Sequence, residues 1–317
     1  MHSTNTLDVE EPMDGLSPDC SDDNLATLRR RAWWRRRTAW LRRPLRIVML
    51  SLANRFSARS VLDPDGPVVS MTTHGRRLDR VHLALESIAD GTQRPARLVL
   101  WLDAARLDQP LPAALRRLQH RGLCIEGSVD LGPHTKYWPE IEAGHLPQRP
   151  LVTADDDVLV PRDWLQRLVQ AWQHDPAAVH CHRARRIDFD ADGVIKPYRQ
   201  WPGAVGTAPS TTHFALGSSG ALYPPRMRVA LRDAGQGFLR CCPRADDIWL
   251  HRVALRAGLP VRQVQALGQV WDELPEARRN GLARENVRGG GNDRQLAATL
   301  SARELALLRQ LAALEWH

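Results

Sequence analysis

The sequence predicts an α/β domain built on a largely parallel sheet with helices on both faces. Two observations predict it. From Val68 to about residue 174, strand-length apolar runs alternate with segments of helical period, the pattern of βαβ units. Polar and acidic residues recur where those runs end: Thr72-Thr73, Asp103, Asp130 and Asp155-Asp156-Asp157. Ligands of such sheets bind beyond the carboxyl ends of the strands, so these residues should converge on one edge.

Taken in order, Pro67-Val68-Val69-Ser70-Met71-Thr72-Thr73 is the first strand, followed by a loop at His74-Gly75-Arg76-Arg77. Leu78, Val81, Leu85 and Ile88 recur at helical spacing and stop at Gly91, a residue suited to a C-cap. Arg97-Leu98-Val99-Leu100-Trp101-Leu102-Asp103 is a second strand, 111–120 a helix opened by Pro112, and Leu123-Cys124-Ile125-Glu126 a third strand. A loop at Gly132-Pro133-His134-Thr135-Lys136 leads to a short helix over 139–143. Leu151-Val152-Thr153, the fourth strand, runs into the three aspartates. Pro161 then opens a helix to residue 174, with Trp164, Leu165, Leu168 and Trp172 on one face.

Farther on, Ala178-Val179-His180-Cys181-His182 is a strand and 187–195 a hairpin turned at Ala191-Asp192-Gly193. His180 and His182 share a strand face; without a third ligand they read as structural before they read as a metal pair. Residues 201–213 form a Pro/Gly-rich loop. The small residues Gly217-Ser218-Ser219-Gly220 allow either close approach of a ligand to the backbone or a tight bend in a strand. Asp246-Asp247 opens a helix running to about residue 257, where the helix dipole favours carboxylates and where one of them could act as a base. A strand at Val261-Arg262-Gln263-Val264, a Gly-rich loop at 288–292 and one long amphipathic helix from 293 to 316 complete the chain.

Composition sets the broad class. A chain of 317 residues, 43% hydrophobic and 25% charged, can bury a full core in one or two domains. Its net charge of +8 is local. Residues 1–23 are acidic and are expected to be disordered. Residues 24–60 then carry a dense arginine block interleaved with Trp33, Trp34 and Trp40, and the globular domain occupies 61–317. Pro44 should interrupt any helix in the basic segment. Arginine beside tryptophan suits an anionic membrane surface, with nucleic acid the less favoured partner and a solvated linker the plain alternative. The acidic start lacks a secretory pattern, and the apolar run 47–53 is too short to span a bilayer. Five cysteines without C-x-x-C spacing favour reduced thiols. A cytoplasmic protein, peripheral on the inner face of the membrane, is therefore expected. Lys136 and Lys196 are the only lysines among 44 basic residues, a hint that an ammonium is wanted there.

Carboxylates are almost never fully buried without a partner. Three at the end of a buried strand fit a hard divalent cation, Mn²⁺ or Mg²⁺, or else form an acidic lead-in to the next helix. The order of these elements resembles the nucleotide-sugar glycosyltransferases of the GT-A fold, in particular bacterial family-2-like enzymes. The resemblance spans about 68–264 and extends to Gly291-Asn292-Asp293-Arg294-Gln295. It rests on the 68–73 strand, the aspartate run followed by Pro161-Arg162-Asp163-Trp164-Leu165, the 217–220 loop and Ala245-Asp246-Asp247-Ile248-Trp249-Leu250.

The resemblance implies inverting transfer from a nucleotide-diphosphate sugar to a hydroxyl of a cell-surface glycan or glycolipid precursor. It implies a metal on Asp155 and Asp157, with Asp156 the alternative ligand, and Asp247 as base with Asp246 as substitute. Thr72, Thr73, Asp103, Lys136, Asp156, Gly217 and Gly220 would bind the donor. Two features depart from the family: His74-Gly75-Arg76 replaces a common tyrosine-asparagine pair, and the Q-x-x-R-W motif of processive synthases is missing. Addition of one or a few sugars is expected. The competing readings are a nucleotidyltransferase or phosphoesterase using the same acids, and a non-enzymatic protein whose basic segment binds lipid or nucleic acid.

Overall fold

The computed structural model describes residues 22–274 and 284–315. The expectation of disorder over 1–23 falls almost wholly outside the described residues, and so does the end of the last helix at 316.

The basic segment is one long helix, α1 (Asp22–Phe56), which continues through Pro44. The expected interruption is overridden by tertiary contacts on the C-terminal half. Proline deprives the helix of one hydrogen bond. Against that loss, Arg43 Nη1 donates to the Glu273 carbonyl at 3.1 Å and Arg46 to the Val160 carbonyl. Leu50 is buried with Leu83, Leu159 and Leu274. Asn54 Nδ2 donates to Glu86 Oε1 at 2.8 Å and to the Ala114 carbonyl at 3.0 Å.

The α/β layers follow: β1 (Val68–Thr72), α2 (Val81–Ala89), β2 (Arg97–Asp103), α3 (Ala104–Leu107), α4 (Ala113–His120), β3 (Cys124–Ser128), α5 (Trp138–Ala143) and β4 (Leu151–Thr153). After the aspartates come β5 (Val158–Leu159), α6 (Trp164–His174), β6 (Val179–Cys181), β7 (Ala184–Arg186), β8 (His213–Ala215) and β9 (Ala221–Tyr223). The chain closes with α7 (Pro225–Ala234), α8 (Phe238–Cys241), α9 (Asp246–Arg256), β10 (Val261–Gln263), β11 (Asp272–Glu273), α10 (Gly291–Thr299) and α11 (Ala302–Glu315).

Seven strands form the central sheet in the order β3-β2-β1-β4-β9-β6-β10. All neighbours are parallel except β9, which runs antiparallel to both β4 and β6. The result is the Rossmann-like mixed sheet flanked by helices that the sequence predicts. Strand alternation divides the core between its faces. Val69, Met71, Leu98 and Leu100 pack under α2, α4 and α6, whereas Val68, Leu151 and Val179 face α5, α7 and α9. Two further pairs, β5–β11 and β7–β8, flank the carboxyl edge.

The single terminal helix expected over 293–316 is two helices, broken at Leu300, whose backbone is extended. Ser301 and Glu304 make a capping box: Ser301 N donates to Glu304 Oε2 at 2.7 Å and Glu304 N to Ser301 Oγ at 3.3 Å. Glu304 Oε1 also accepts from Arg252 and Arg256 of α9, at 3.1 and 2.5 Å. The expected hairpin at 187–195 is reduced to one bridge, Phe189 to Ile195, around the Asp190 turn.

Candidate active site

Parallel strands β1, β2 and β4 end at the same edge, and each delivers its polar terminus to one cleft of about 1820 Å³. From β1 comes Thr73, whose Oγ1 donates to Asp156 Oδ2 at 2.6 Å. The loop after it brings Arg77, whose Nη1 lies 2.8 Å from Asp156 Oδ1 and 3.0 Å from Asp157 Oδ2. Asp156 is the most enclosed of the three aspartates and is held on both oxygens. Its two neighbours stay partly open to the cleft, at 26% side-chain exposure for Asp155 and 18% for Asp157.

From the other side of the sheet, the loop before α5 carries Lys136. Its Nζ stands 3.0 Å from Asp155 Oδ1 and 3.0 Å from Asp246 Oδ2. Burial opposes the ammonium, but Asp155, Asp246 and Asp247 together hold it well above the ordinary lysine range. One cation thus joins the aspartate run to the N-terminus of α9. Asp247 Oδ1 accepts from the Gly217 amide at 3.0 Å. Burial, and then the Asp246 charge, push the Asp247 carboxyl up to about 8 against the pull of Lys136 and that amide. At Asp157, burial followed by the Asp155 charge raises the carboxyl to about 7 in spite of Arg77.

Most of the residues anticipated from sequence meet here, though not all in the expected sense. Thr72, Thr73, Asp103, Lys136, Asp155, Asp156, Asp157, Asp246 and Asp247 line the cleft. Thr72 Oγ1 donates to the Trp101 carbonyl, and Asp103 caps α3 by accepting from Ala105 N. Gly217 faces the acids: a Cβ there would sit 2.9 Å from Asp247 Oδ1. Gly220 serves the core instead. At φ +99° it admits the Trp164 ring, which a Cβ would meet at 2.5 Å.

The two histidines of the β6 segment are structural. His180 Nε2 donates to the Asp175 carbonyl and His182 Nε2 to the Trp164 carbonyl. Lys196 pairs with Asp188 at 2.8 Å, away from the cleft. Sequence reasoning missed Arg77, which pairs with Asp156 and Asp157, and also Arg183, Arg185 and Tyr198, which line the same cleft. Arg77 stood in a strand-end loop, which was its only signal.

Among the described residues no set of three or more His, Cys, Asp or Glu side chains forms a preformed metal cage. A donor-dependent site is a different matter. Mg²⁺ is commonly held by one or two carboxylates plus substrate phosphates. Asp155 and Asp157 offer hard oxygens to the cleft, both partly open to it beside the enclosed Asp156. The residues fit such a cation.

No protein-family model matches the chain, and no curated protein matches it. Many solved structures are similar in backbone, three of them as follows. S. aureus TarS 1-349 shares 12% identity at a TM-score of 0.45, covering 76% of this chain and 68% of that one. The 4-diphosphocytidyl-2C-methyl-D-erythritol synthase of Anaerococcus prevotii shares 10% identity at 0.45, over 74% and 97%. CMP:2-keto-3-deoxy-manno-octonic acid synthetase complexed with CTP shares 13% at 0.39, over 67% and 94%. At these scores the likeness carries no argument about activity, which rests on the site.

Proposed function

We propose that the chain is a metal-dependent, inverting glycosyltransferase that takes a sugar from a nucleotide-diphosphate donor. The observation that carries this reading is Lys136, whose ammonium lies 3.0 Å from both Asp155 and Asp246. It places the two acidic stations in one cleft, one suited to a leaving diphosphate and the other to an incoming hydroxyl.

The division of labour follows from how each acid is held. Asp156, locked by Thr73 and Arg77, positions the run and keeps its neighbours turned to the cleft. Asp155 and Asp157 would hold Mn²⁺ or Mg²⁺, which when bound supplies several kcal/mol of charge stabilisation to the departing diphosphate. Lys136 offers the donor phosphates a buried point charge. Thr72 and Asp103, at the ends of β1 and β2, frame the nucleoside.

Asp246 is tied to Lys136 at 3.0 Å, which leaves Asp247, raised by burial, to serve as the base. As the acceptor oxygen bonds to the anomeric carbon and the bond to the diphosphate breaks, Asp247 takes the hydroxyl proton. Such a base typically contributes ~10²–10⁴ in rate. The Gly217 amide orients its carboxylate. The acceptor class is a hydroxyl of a cell-surface glycan or glycolipid precursor, presented at the cytoplasmic face of a membrane.

A panel of nucleotide sugars, incubated with and without Mn²⁺, tests the reading. Release of a nucleoside diphosphate that requires the metal supports it. Release of pyrophosphate or inorganic phosphate would assign the same acids to nucleotidyl transfer or phosphoester hydrolysis.

A further inference from the structure

One surface lies outside this chemistry. Helix α1 carries large apolar side chains on the face turned away from the domain. Leu41, Leu45, Val48 and Leu52 are spaced four, three and four apart, so they form one line along the helix, with Met49 and Phe56 beside it and Trp34 two turns before it. All are exposed, Leu45 at 63%, Met49 at 61% and Phe56 at 73%. The opposite face is the one that docks, through Arg43, Arg46, Leu50 and Asn54. The outer stripe therefore contributes nothing to the helix's own attachment. No helix among the described residues is long and apolar enough to cross a membrane.

Charge identifies what the stripe meets. Residues 24–62 contain eleven arginines and no aspartate or glutamate. Trp33 and Trp34 pack edge to face at 5.0 Å, with the Arg37 guanidinium 4.8 Å over the Trp33 ring. A second copy of residues 24–62 would bring eleven more arginines and no acid to pair with them. A nucleic acid would engage the arginines but leave the apolar stripe against water or phosphate. An anionic lipid surface takes both: the stripe enters the acyl boundary, tryptophan sits at headgroup level, and guanidinium meets lipid phosphate.

We propose that α1 lies in the plane of an anionic membrane, with the Leu41–Leu45–Val48–Leu52 stripe buried in it. Through Arg43 the helix is tied to the Glu273 carbonyl, and Glu273 lines the cleft, so the membrane would lie beside the site. That placement suits a lipid-linked acceptor, a point that rests on the glycosyltransferase reading. Membrane binding itself does not.

The test is co-sedimentation of the full chain with vesicles of phosphatidylcholine alone and of phosphatidylcholine containing phosphatidylglycerol. The wild type should bind only the anionic vesicles. The triple variant Leu45→Gln, Met49→Gln, Leu52→Gln should melt at the same temperature, because these side chains make no core contact, yet bind at least about a hundredfold more weakly. Undiminished vesicle binding by the variant overturns the proposal. So does a dimer that the variant dissociates while neither protein binds vesicles, or binding confined to duplex nucleic acid. Vesicle binding by a chain inactive on every nucleotide sugar would uphold the anchor and remove only the transfer chemistry.

Discussion

At neutral pH the folded chain keeps a proton on Asp247 that the unfolded chain releases. Its carboxyl is pushed up to about 8, first by burial and then by Asp246, against ~3.9 for an unfolded aspartate. Between those values the unfolded state binds fewer protons than the native state, so this group makes stability fall as pH rises from about 4 to about 8. At ~1.4 kcal/mol per unit, the full rise caps the effect at ~6 kcal/mol. Asp247 titrates against neighbouring charges, Lys136 among them, which brings its share to ~1–3 kcal/mol.

Asp247→Asn removes the charge, keeps the shape and leaves an oxygen for the Gly217 amide. In metal-free buffer the variant should melt ~2–8 °C above the wild type at pH 8. The gap should close towards pH 4, where the folded carboxyl is protonated and the unfolded one about half so. Transfer should drop ~10²–10⁴-fold above about pH 8, where the wild-type carboxyl is ionised, and by progressively less at lower pH, where its proton already occupies the base. Melting curves from pH 4 to 8.5, paired with product formation at saturating donor, measure both. A gap in melting temperature that does not change with pH would refute the buried-carboxyl argument, and undiminished turnover would refute the base.

The other predictions address the metal, the glycine loop and the terminal helices. Asp157→Ala should abolish the Mn²⁺-dependent part of the thermal shift caused by donor, and a shift left intact would remove Asp157 from the metal. Gly217→Ala should displace the Asp247 carboxylate and depress turnover with little change in melting temperature, whereas Gly220→Ala, forced against the Trp164 ring at positive φ, should cost ~2 kcal/mol or more in stability. The reverse pattern would exchange their roles. Ser301→Ala removes one half of the capping box between α10 and α11 and should cost ~1 kcal/mol by urea denaturation; no change would mean that Glu304 holds the break alone.

Much of the central sheet was legible because its signals are local. The runs that became β1 to β4 are apolar, and each ends in a polar residue that the parallel topology carries to the same edge. Lys136 was legible by scarcity, since lysine is otherwise confined to Lys196. Arg77 was not: the 44 basic residues less two lysines leave 42 arginines, and only packing selects the one that bridges Asp156 and Asp157. Pro44 misled because a local rule worth one hydrogen bond met a helix face clamped at Arg43, Arg46, Leu50 and Asn54. Gly220 was ambiguous by nature, as a small residue reads the same whether a ligand or Trp164 fills the space beside it. The break at Leu300 was missed, although Ser301-Ala302-Arg303-Glu304 carries a capping-box pattern within an otherwise continuous amphipathic stretch.

The charge pattern of the cleft explains why its acids need not all be ionised before a substrate arrives. Asp155, Asp156, Asp157, Asp246 and Asp247 converge, and Lys136 and Arg77 are the cations seated among them. Burial, reinforced by the neighbouring carboxylates, keeps a proton on Asp247 up to about pH 8 and on Asp157 up to about pH 7, against the pull of Lys136 and Arg77. A divalent cation on Asp155 and Asp157 must then compete with the Asp157 proton. Above pH 7 that carboxyl is open to metal; below it the proton holds the place. Metal-dependent donor affinity should therefore weaken about tenfold for each pH unit below about 7, the slope of a single competing proton. Donor affinity measured without metal should lack that slope, because Asp156, which Thr73 and Arg77 hold in place, keeps the run positioned whether or not Asp157 is charged.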